Sequence, residues 1–385
     1  MGPLNGVRIV EFAGIGPAPF AAMVLADLGA DVLVIDRKAP NQNTRDLSFF
    51  NLGRHALLNR GKRAIALDLK QPQGKDAALR LIGAADALIE GFRPGVMERN
   101  GLGPDACLVR NPALVYGRMT GWGQSGPLAQ AAGHDLNYLA LSGALSLGAR
   151  PEEQRPWAPP AVLGDMGGGG LLLALGIVSA ILEARTSGKG QVVDAAITDG
   201  AALLTTIFHA LKSARVWQGP GHPHVLDSSA PFYDTFRCAD GKWISIGAIE
   251  PQFYALLLEK CGLTDVAPGD QYDMSLWPAL KARVAALLAK KTRDEWCRVL
   301  EGSDACFAPV LDLNEAPAHA HNRARGTFIE VDGITQPAPA PKFSRTAAEI
   351  RCPPQVPGKP DDAALGDWGF AADDIGTLRA TGVLG

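Results

Sequence analysis

The chain is short of charge, and shorter still of any imbalance in it. Charged residues fill 20% of its 385 positions, and 37 Lys and Arg against 40 Asp and Glu leave a formal net charge of −3. That composition gives no sequence-independent pull toward nucleic acid or an anionic membrane, so an anionic ligand has to be met by local basic residues. Cysteine is sparse as well. Cys107, Cys238, Cys261, Cys297, Cys306 and Cys352 are scattered, with no C-x-x-C and no His/Cys cluster at metal-ligand spacing. The pattern points to reduced thiols and to no metal site. The pairs His222/His224 and His319/His321 have no third ligand nearby and read as surface-loop histidines. Long hydrophobic runs are missing too: the longest, Gly170–Leu182, falls short of the roughly 20 residues that span a bilayer. The start, MGPLNGVRIVEFAG, lacks a basic region ahead of an apolar core, and the end, Gly-Val-Leu-Gly, is not a peroxisomal address. The expectation is a soluble cytoplasmic protein.

What is present is length enough for two domains, each with its own core. The first two hundred residues alternate β-rich runs with helical patterns: strand Val7–Phe12, helix Pro17–Leu28 stopped by Gly29, strands Asp31–Asp36 and Ala64–Leu69, helix Lys75–Ile82, and strands Asp86–Glu90 and Leu114–Arg118. Such alternation predicts an α/β fold, a Rossmann-like parallel sheet with helices on its faces. From Pro231 the character changes to two strands, Pro231–Arg237 and Trp243–Gly247, joined by a turn at Asp240–Gly241. Helical segments Gln252–Cys261, Leu276–Lys290 and Arg293–Leu300 follow. This reads as a smaller α+β domain over 225–315, set between a large domain (1–224) and its C-terminal return (316–385). The seven prolines of Pro337–Pro360 predict an extended surface connector.

The stretch AAGHDLNYLALSG puts His134 and Asp135 at the head of an apolar helical run, and Asp165, in LGDMGGGG, opens a second one over Met166–Glu183. Ionisable groups at the start of a buried helix need a partner or a task. A histidine and a carboxylate are what a reaction moving a proton on and off carbon requires. Either acid could also be a plain helix cap. The four glycines after Asp165 argue for more, because each costs a helix interior roughly 1 kcal/mol against Ala and is tolerated where backbone approaches another group. Glu250, between the strand WISIGAI and Pro251, could be helix-end electrostatics or the partner of a histidine.

Gly14-Ile-Gly16 follows a strand and opens a helix, yet Pro19 occupies the place of the third glycine of G-x-G-x-x-G, and two prolines remove amide donors. With Arg37 and Lys38 directly after Asp36, a phosphate-bearing ligand at that edge is favoured over NAD. Arg54, His55, Arg60, Lys62 and Arg63 form a basic run that reads as a solvated face more than a ligand contact. Arg93, in GFRPG, stands where open α/β sheets gather ligands.

At VRIVEFAGIGPAPFAAMVLADLGADVLVIDR, GKRAIALDLKQPQG, TGWGQSGP, AGHDLNYLALSG, GDMGGGG, TSGKGQVVDAAITDG, SSAPFYDTF, ADGKWISIGAIEPQFY and DACFAPV the chain resembles the α-methylacyl-CoA racemases, within the larger family III CoA-transferases. The resemblance implies an interlocked homodimer of two ring-like chains, with the active site between the large domain of one subunit and the small domain of the other. It implies no metal, nicotinamide or flavin cofactor, since CoA is part of the substrate. His134 and Asp165 match the two acid/base groups that interconvert R and S 2-methylacyl-CoA thioesters through an enolate, His134 serving the S-epimer and Asp165 the R. Glu250 matches the carboxylate paired with the histidine. Arg37, Ala66, Leu67, Asp68 and Leu69, and Gly133, Asp135, Leu136, Asn137 and Tyr138 match positions assigned to the CoA thioester, and helix-start amides near Asp135 would meet the enolate oxygen. The alternative within the family is a CoA-transferase in which Asp165 is the acyl-carrying nucleophile. Two stretches depart from the racemases: Gln42–Leu58 looks more like the transferases, and Ser228–Ser229 stands where racemases often carry two glycines.

Overall fold

A computed structural model describes residues 2–38, 52–148, 155–355 and 361–385. Residues 42–51 of the insertion-like Gln42–Leu58, and 356–360 of the proline-rich connector, lie outside the described residues. The chain divides into two units: Met1–Ser142, Pro159–Leu204 and Gly326–Gly385 form the first, and Gly143–Ala158 with Thr205–Arg325 the second.

The first unit begins with β1 (Arg8–Phe12), α1 (Pro17–Asp27), β2 (Asp31–Asp36), β3 (Arg63–Ala66), α2 (Pro72–Gly83), β4 (Ala87–Glu90), α3 (Val96–Arg99), α4 (Pro104–Arg110) and β5 (Val115–Thr120). It continues through α5 (Asp135–Leu141), a π-helical segment Val162–Leu171, α6 (Leu172–Ser187), β6 (Gln191–Ala196) and α7 (Ile197–Leu204). The six strands are all parallel, in the order β3-β2-β1-β4-β5-β6. This is the doubly wound arrangement, whose switch point lies between the carboxyl ends of β1 and β4. The period of two sends Val10, Phe12, Leu33, Ile35 and Leu88 onto α2 and α4. It sends Ile9, Val32, Ala87, Ile89 and Val115 onto α1 and α6. Each fully buried aliphatic side chain contributes about 1.5–3 kcal/mol, and the alternation makes that gain specific to one register.

Several expectations change here. The basic run is a solvated face only at Arg54 and His55, which are exposed, and its later members turn inward. Arg60 pairs with Asp27 at 2.6 Å, and Lys62 with Glu11 at 2.6 Å and with the Pro19 carbonyl at 2.9 Å, both pairs buried. Arg63 bridges Asp31 and Asp367. Cations next to a strand that enters the core are drawn inward when acids wait there, and these acids stand far off in sequence. The strand expected over Ala64–Leu69 runs over Arg63–Ala66, and Leu67 forms an isolated antiparallel bridge with Leu384. The apolar stretch also runs further than Gly170–Leu182. Val162–Ser187 is one continuous helical element of 26 residues, holding an 18-residue stretch of mean hydropathy 1.7, long and apolar enough to cross a membrane. Leu173, Ile177 and Ile181 on it pack on the sheet, as in a core helix.

In the second unit α8 (Thr206–Ser213) precedes an antiparallel sheet of β7 (Tyr233–Arg237), β8 (Trp243–Gly247) and β9 (Phe307–Pro309). Helices α9 (Pro251–Cys261), α10 (Trp277–Leu288), α11 (Arg293–Leu300) and α12 (Ala320–Arg325) accompany it. Phe232, Tyr254, Trp277 and Trp296 fill its core. The turn at Asp240–Gly241 forms as expected. Ser228 takes a left-handed φ of 69° and is held by Lys281 Nζ, which donates to its carbonyl at 2.6 Å. A β-carbon in that region costs about 1 kcal/mol, so Ser228→Gly should raise stability by about 0.5–1 kcal/mol. The urea midpoint checks this, and an unchanged or lower midpoint contradicts it.

The first unit resumes with a hairpin, β10 (Phe328–Val331) and β11 (Ile334–Pro337), and closes with α13 (Asp362–Asp367) and α14 (Ala372–Ala380). Between them the connector has no helix or strand over 338–355, yet it is stitched down. The Gly61 N–H donates to the Cys352 carbonyl at 2.8 Å, the Ala64 N–H to Gln355 Oε1 at 2.7 Å, and Arg60 Nη1 to Gln336 and Pro337. The Gln355 contact occupies an outer-edge donor of β3, and the others fasten the residues that lead into it.

Candidate active site

In the first unit the sequence-predicted residues gather along the carboxyl edge of the parallel sheet. Arg37 follows β2, Ala66–Leu69 end and follow β3, Arg93 follows β4, and His134–Tyr138 lie on the excursion between β5 and β6. Loops at this edge are where doubly wound folds place their chemistry.

Asp165 stands in the first turn of the π-helical segment, which starts four residues earlier than the helix expected from Met166. Ala161 is its N-cap residue, with φ 59°, and the Met166 N–H reaches back to the Ala161 carbonyl at 2.9 Å. The glycines explain the departure from α-geometry. A β-carbon at Gly168 would lie 2.7 Å from the Ala201 nitrogen, and one at Gly170 would lie 2.8 Å from the Pro17 carbonyl oxygen. The segment is wedged between α1 and α7 at backbone distance, and only glycine allows it. One-turn π distortions concentrate at functional sites. The same packing brings Asp165 to the switch point, where a β-carbon on Gly16 would sit 3.6 Å from its Oδ2.

The Asp165 carboxyl is half-buried, and its pKa is pushed up to about 6. Burial is the main cause, the neighbouring Asp135 charge adds to it, and His134 pulls the other way. A carboxyl so placed can hold or release a proton near neutral pH. His134 is the N-cap of α5, and its N–H donates to Asn137 Oδ1 at 3.0 Å. Contrary to the expectation of a buried helix, α5 buries only Tyr138 and Leu139. His134 itself is exposed, and Leu136 is 57% exposed. Asp135 turns inward. Its Oδ1 accepts from the Asp165 N–H at 2.8 Å and its Oδ2 from the Ala161 N–H at 3.1 Å. Tyr138 donates to the Gly133 carbonyl and stands edge-on to Trp122, with centroids 4.7 Å apart. Burial and the Asp165 charge raise the Tyr138 hydroxyl, and Arg93 opposes them, which places Arg93 in the same electrostatic neighbourhood.

The positions matched to CoA are mixed. The Ala66 and Leu67 side chains are buried, and their backbone is engaged: the Ala66 carbonyl accepts from Gly385 N–H, and Leu67 N–H donates to the Asp36 carbonyl. Asp68 accepts from Lys70 N–H and Gln71 Nε2, while Leu69 packs at the core margin. Lys38 Nζ donates to the Gly382 carbonyl at 2.6 Å. The Arg37 and Arg93 side chains are exposed. Glu250 belongs to the second unit. It is the exposed N-cap residue of α9, and Gln271 Nε2 and the Tyr272 hydroxyl hold the Ile249 carbonyl before it at 2.7 and 2.6 Å.

Sequence reasoning missed Glu90 and Arg118, buried at the carboxyl ends of β4 and β5. Arg118 Nε donates to Glu90 Oε1 at 2.9 Å, and Glu90 Oε2 accepts from the Phe92 N–H at 2.7 Å, which fixes the loop carrying Arg93. A charged residue inside each of two apolar strands was the available signal. Among the described residues no group of three or more His, Cys, Asp or Glu is arranged to hold a metal ion.

A sequence model of CoA-transferase family III matches residues 4–359. The α-methylacyl-CoA racemase of Mus musculus is 43% identical, covering 99% of this chain and 97% of its own, and that of Homo sapiens is 42% identical over the same shares. The crystal structure of a CaiB/BaiF family protein from Brucella suis, 24% identical, superposes with a TM-score of 0.82 over 95% of this chain and 99% of its own. Over nearly its whole length, with a doubly wound sheet and a glycine-wedged aspartate at its switch point, the chain belongs to CoA-transferase family III.

Proposed function

We propose that this protein is a racemase interconverting R and S 2-methylacyl-CoA thioesters by 1,1-proton transfer. The thioester carbonyl acidifies the α-hydrogen. His134 takes that proton from the S-epimer, the charge moves onto oxygen as an enolate, and Asp165 returns a proton to the opposite face; from the R-epimer the roles reverse. The Asp135 and Leu136 amides, at the start of α5 ahead of its first intrahelical bond, would meet the enolate oxygen where its charge develops. Glu250 would hold the His134 tautomer. The observation that carries the reading is Asp165, a carboxyl raised to about 6 within the field of a histidine. The racemases at 42–43% identity support the substrate class.

We further propose a homodimer whose second copy completes each site. Leu175, Leu182 and Leu203 on α6 and α7 are 62, 70 and 59% exposed, an apolar face of the kind that partners cover. CoA arrives as part of the substrate, and the chemistry asks for no metal or other cofactor and no nucleic-acid or membrane partner. Six free cysteines support a reducing, cytoplasmic setting.

Solvent deuterium wash-in at the α-carbon of chiral 2-methylacyl-CoAs, run across a panel of acyl groups, tests the reading. Exchange is expected from both epimers, and His134→Ala should lose it from the S-epimer by about 10²-fold or more, with a smaller loss from the R. Intact protein that exchanges nothing overturns the proposal. Acyl-CoA-dependent trapping of Asp165 by hydroxylamine or borohydride, without exchange, would assign it to CoA transfer.

A further inference from the structure

Asp135 does not cap its own helix, whose N-cap is His134. Both oxygens of its carboxylate are spent outside α5, on the Asp165 N–H at 2.8 Å and the Ala161 N–H at 3.1 Å. The carboxylate reaches them because residue 164 is glycine: a β-carbon there would fall 2.3 Å from Asp135 Oδ1 and 3.2 Å from the Leu139 Cγ. The residue next to one acid/base group therefore ties down the backbone of the other. We infer that Asp135 is a positioning residue that fixes the turn carrying Asp165, an inference that rests on the two-base reading above.

The first consequence is geometric. The π-helical segment begins at Ala161 with a strained left-handed residue, and the clamp spans the turn from that residue to Asp165. Proton transfer is sensitive to small displacements of donor and acceptor, so a looser turn weakens Asp165 while leaving His134, outside it, in place. The second consequence is electrostatic. An anion against the backbone of a half-buried carboxyl disfavours its ionised form. Of the groups that act on Asp165, Asp135 raises its proton affinity and His134 lowers it. The remaining acids on the elements packed around it are engaged or solvated: Asp27 of α1 by Arg60, Asp194 of β6 by the Gln124 N–H, and Asp199 of α7 in solvent. Arg118 of β5 faces Glu90 and Glu98, and at the far end of α6 Glu183 is exposed and Arg185 reaches Asp86.

The test compares pH profiles of deuterium wash-in from each epimer separately, for the wild type, Asp135→Asn and Gly164→Ala. Asp135→Asn keeps one acceptor oxygen, sets an amide group against the other N–H, and removes the charge. Exchange from the R-epimer should fall about 10-fold further than exchange from the S-epimer, and the acid limb of the R-epimer profile should move down by about one pH unit. Gly164→Ala displaces the carboxylate without removing its charge. It should reproduce the epimer-selective loss with the limb little moved, which keeps the inference testable should Asp135→Asn fold poorly. Equal losses from both epimers with an unmoved acid limb would overturn the inference while exchange by the wild type left the racemase reading intact. A wild type that exchanges neither epimer removes both together.

Discussion

Asp165→Asn will cut racemisation by about 10²–10⁴-fold while making the folded chain more stable at pH 8. The two effects share one cause. In the folded protein the Asp165 carboxyl titrates at about 6 instead of 3.8, so the native state binds more protons than the unfolded state between those values. Stability is then lost as pH rises through that window, and the full cost of burying the charge is carried above it. The difference is worth on the order of 2 kcal/mol once partial exposure is allowed for. Asparagine carries no charge to desolvate and none to oppose Asp135, so denaturant midpoints should separate at pH 8 and converge toward pH 4. A variant that keeps its exchange rate would remove Asp165 from the chemistry. One that gains nothing at pH 8 would show that the site's environment does not oppose the ionised form.

Lys62→Met should cost about 3–5 kcal/mol, because it leaves a buried glutamate uncompensated. Glu11 and Lys62 are each 1% exposed, and Lys62 Nζ lies 2.6 Å from Glu11 and 2.9 Å from the Pro19 carbonyl. Burial pushes Glu11 up and Lys62 down, and each opposes the shift of the other. Once methionine replaces Lys62, Glu11 can enter the fold only by taking a proton, so the loss should shrink at low pH. Replacing Glu11 and Lys62 together by apolar residues of similar volume should recover most of the loss. Urea denaturation of the single and double variants measures it, and a single variant within about 1 kcal/mol of wild type would contradict the argument. Activity should suffer as well, since the Pro19 carbonyl belongs to the first turn of α1, against which the Asp165 segment is wedged.

How far the sequence could be read follows from how local each signal is. Strands β1, β2 and β4 are short, apolar and bounded by turn residues, and a period of two within six residues is enough to find them. His134 and Asp165 stood out because a titratable group heading an apolar run is conspicuous without any partner in view. Strand β6 was missed because it lies at the sheet edge, where Gln191, Val192 and Asp194 are exposed and the apolar alternation dissolves. The inward fate of Arg60 and Lys62 was illegible for a different reason. Their acids precede them by 33 and 51 residues, and an ion pair at such separation leaves no periodic trace. The clamp from Asp135 to Asp165 belongs to the same class: each residue is conspicuous by itself, and the bond between them spans 30 residues.

The stitching of β3 has a consequence for how the chain must be made. The contacts that hold its outer edge and the residues leading into it come from Gln355 and from Gln336, Pro337 and Cys352, with the whole of the second unit synthesised in between. A nascent chain that has emerged only through residue 204 holds all six parallel strands but none of the segment that occupies the Ala64 N–H and fastens Arg60 and Gly61. During that interval the sheet presents an open template to any other extended chain. The step that ends the exposure is a long-range closure, slow by the ordinary dependence of folding rate on contact separation. The second unit, whose sheet and helices lie within residues 205–325, is free to form while the first still waits for its edge.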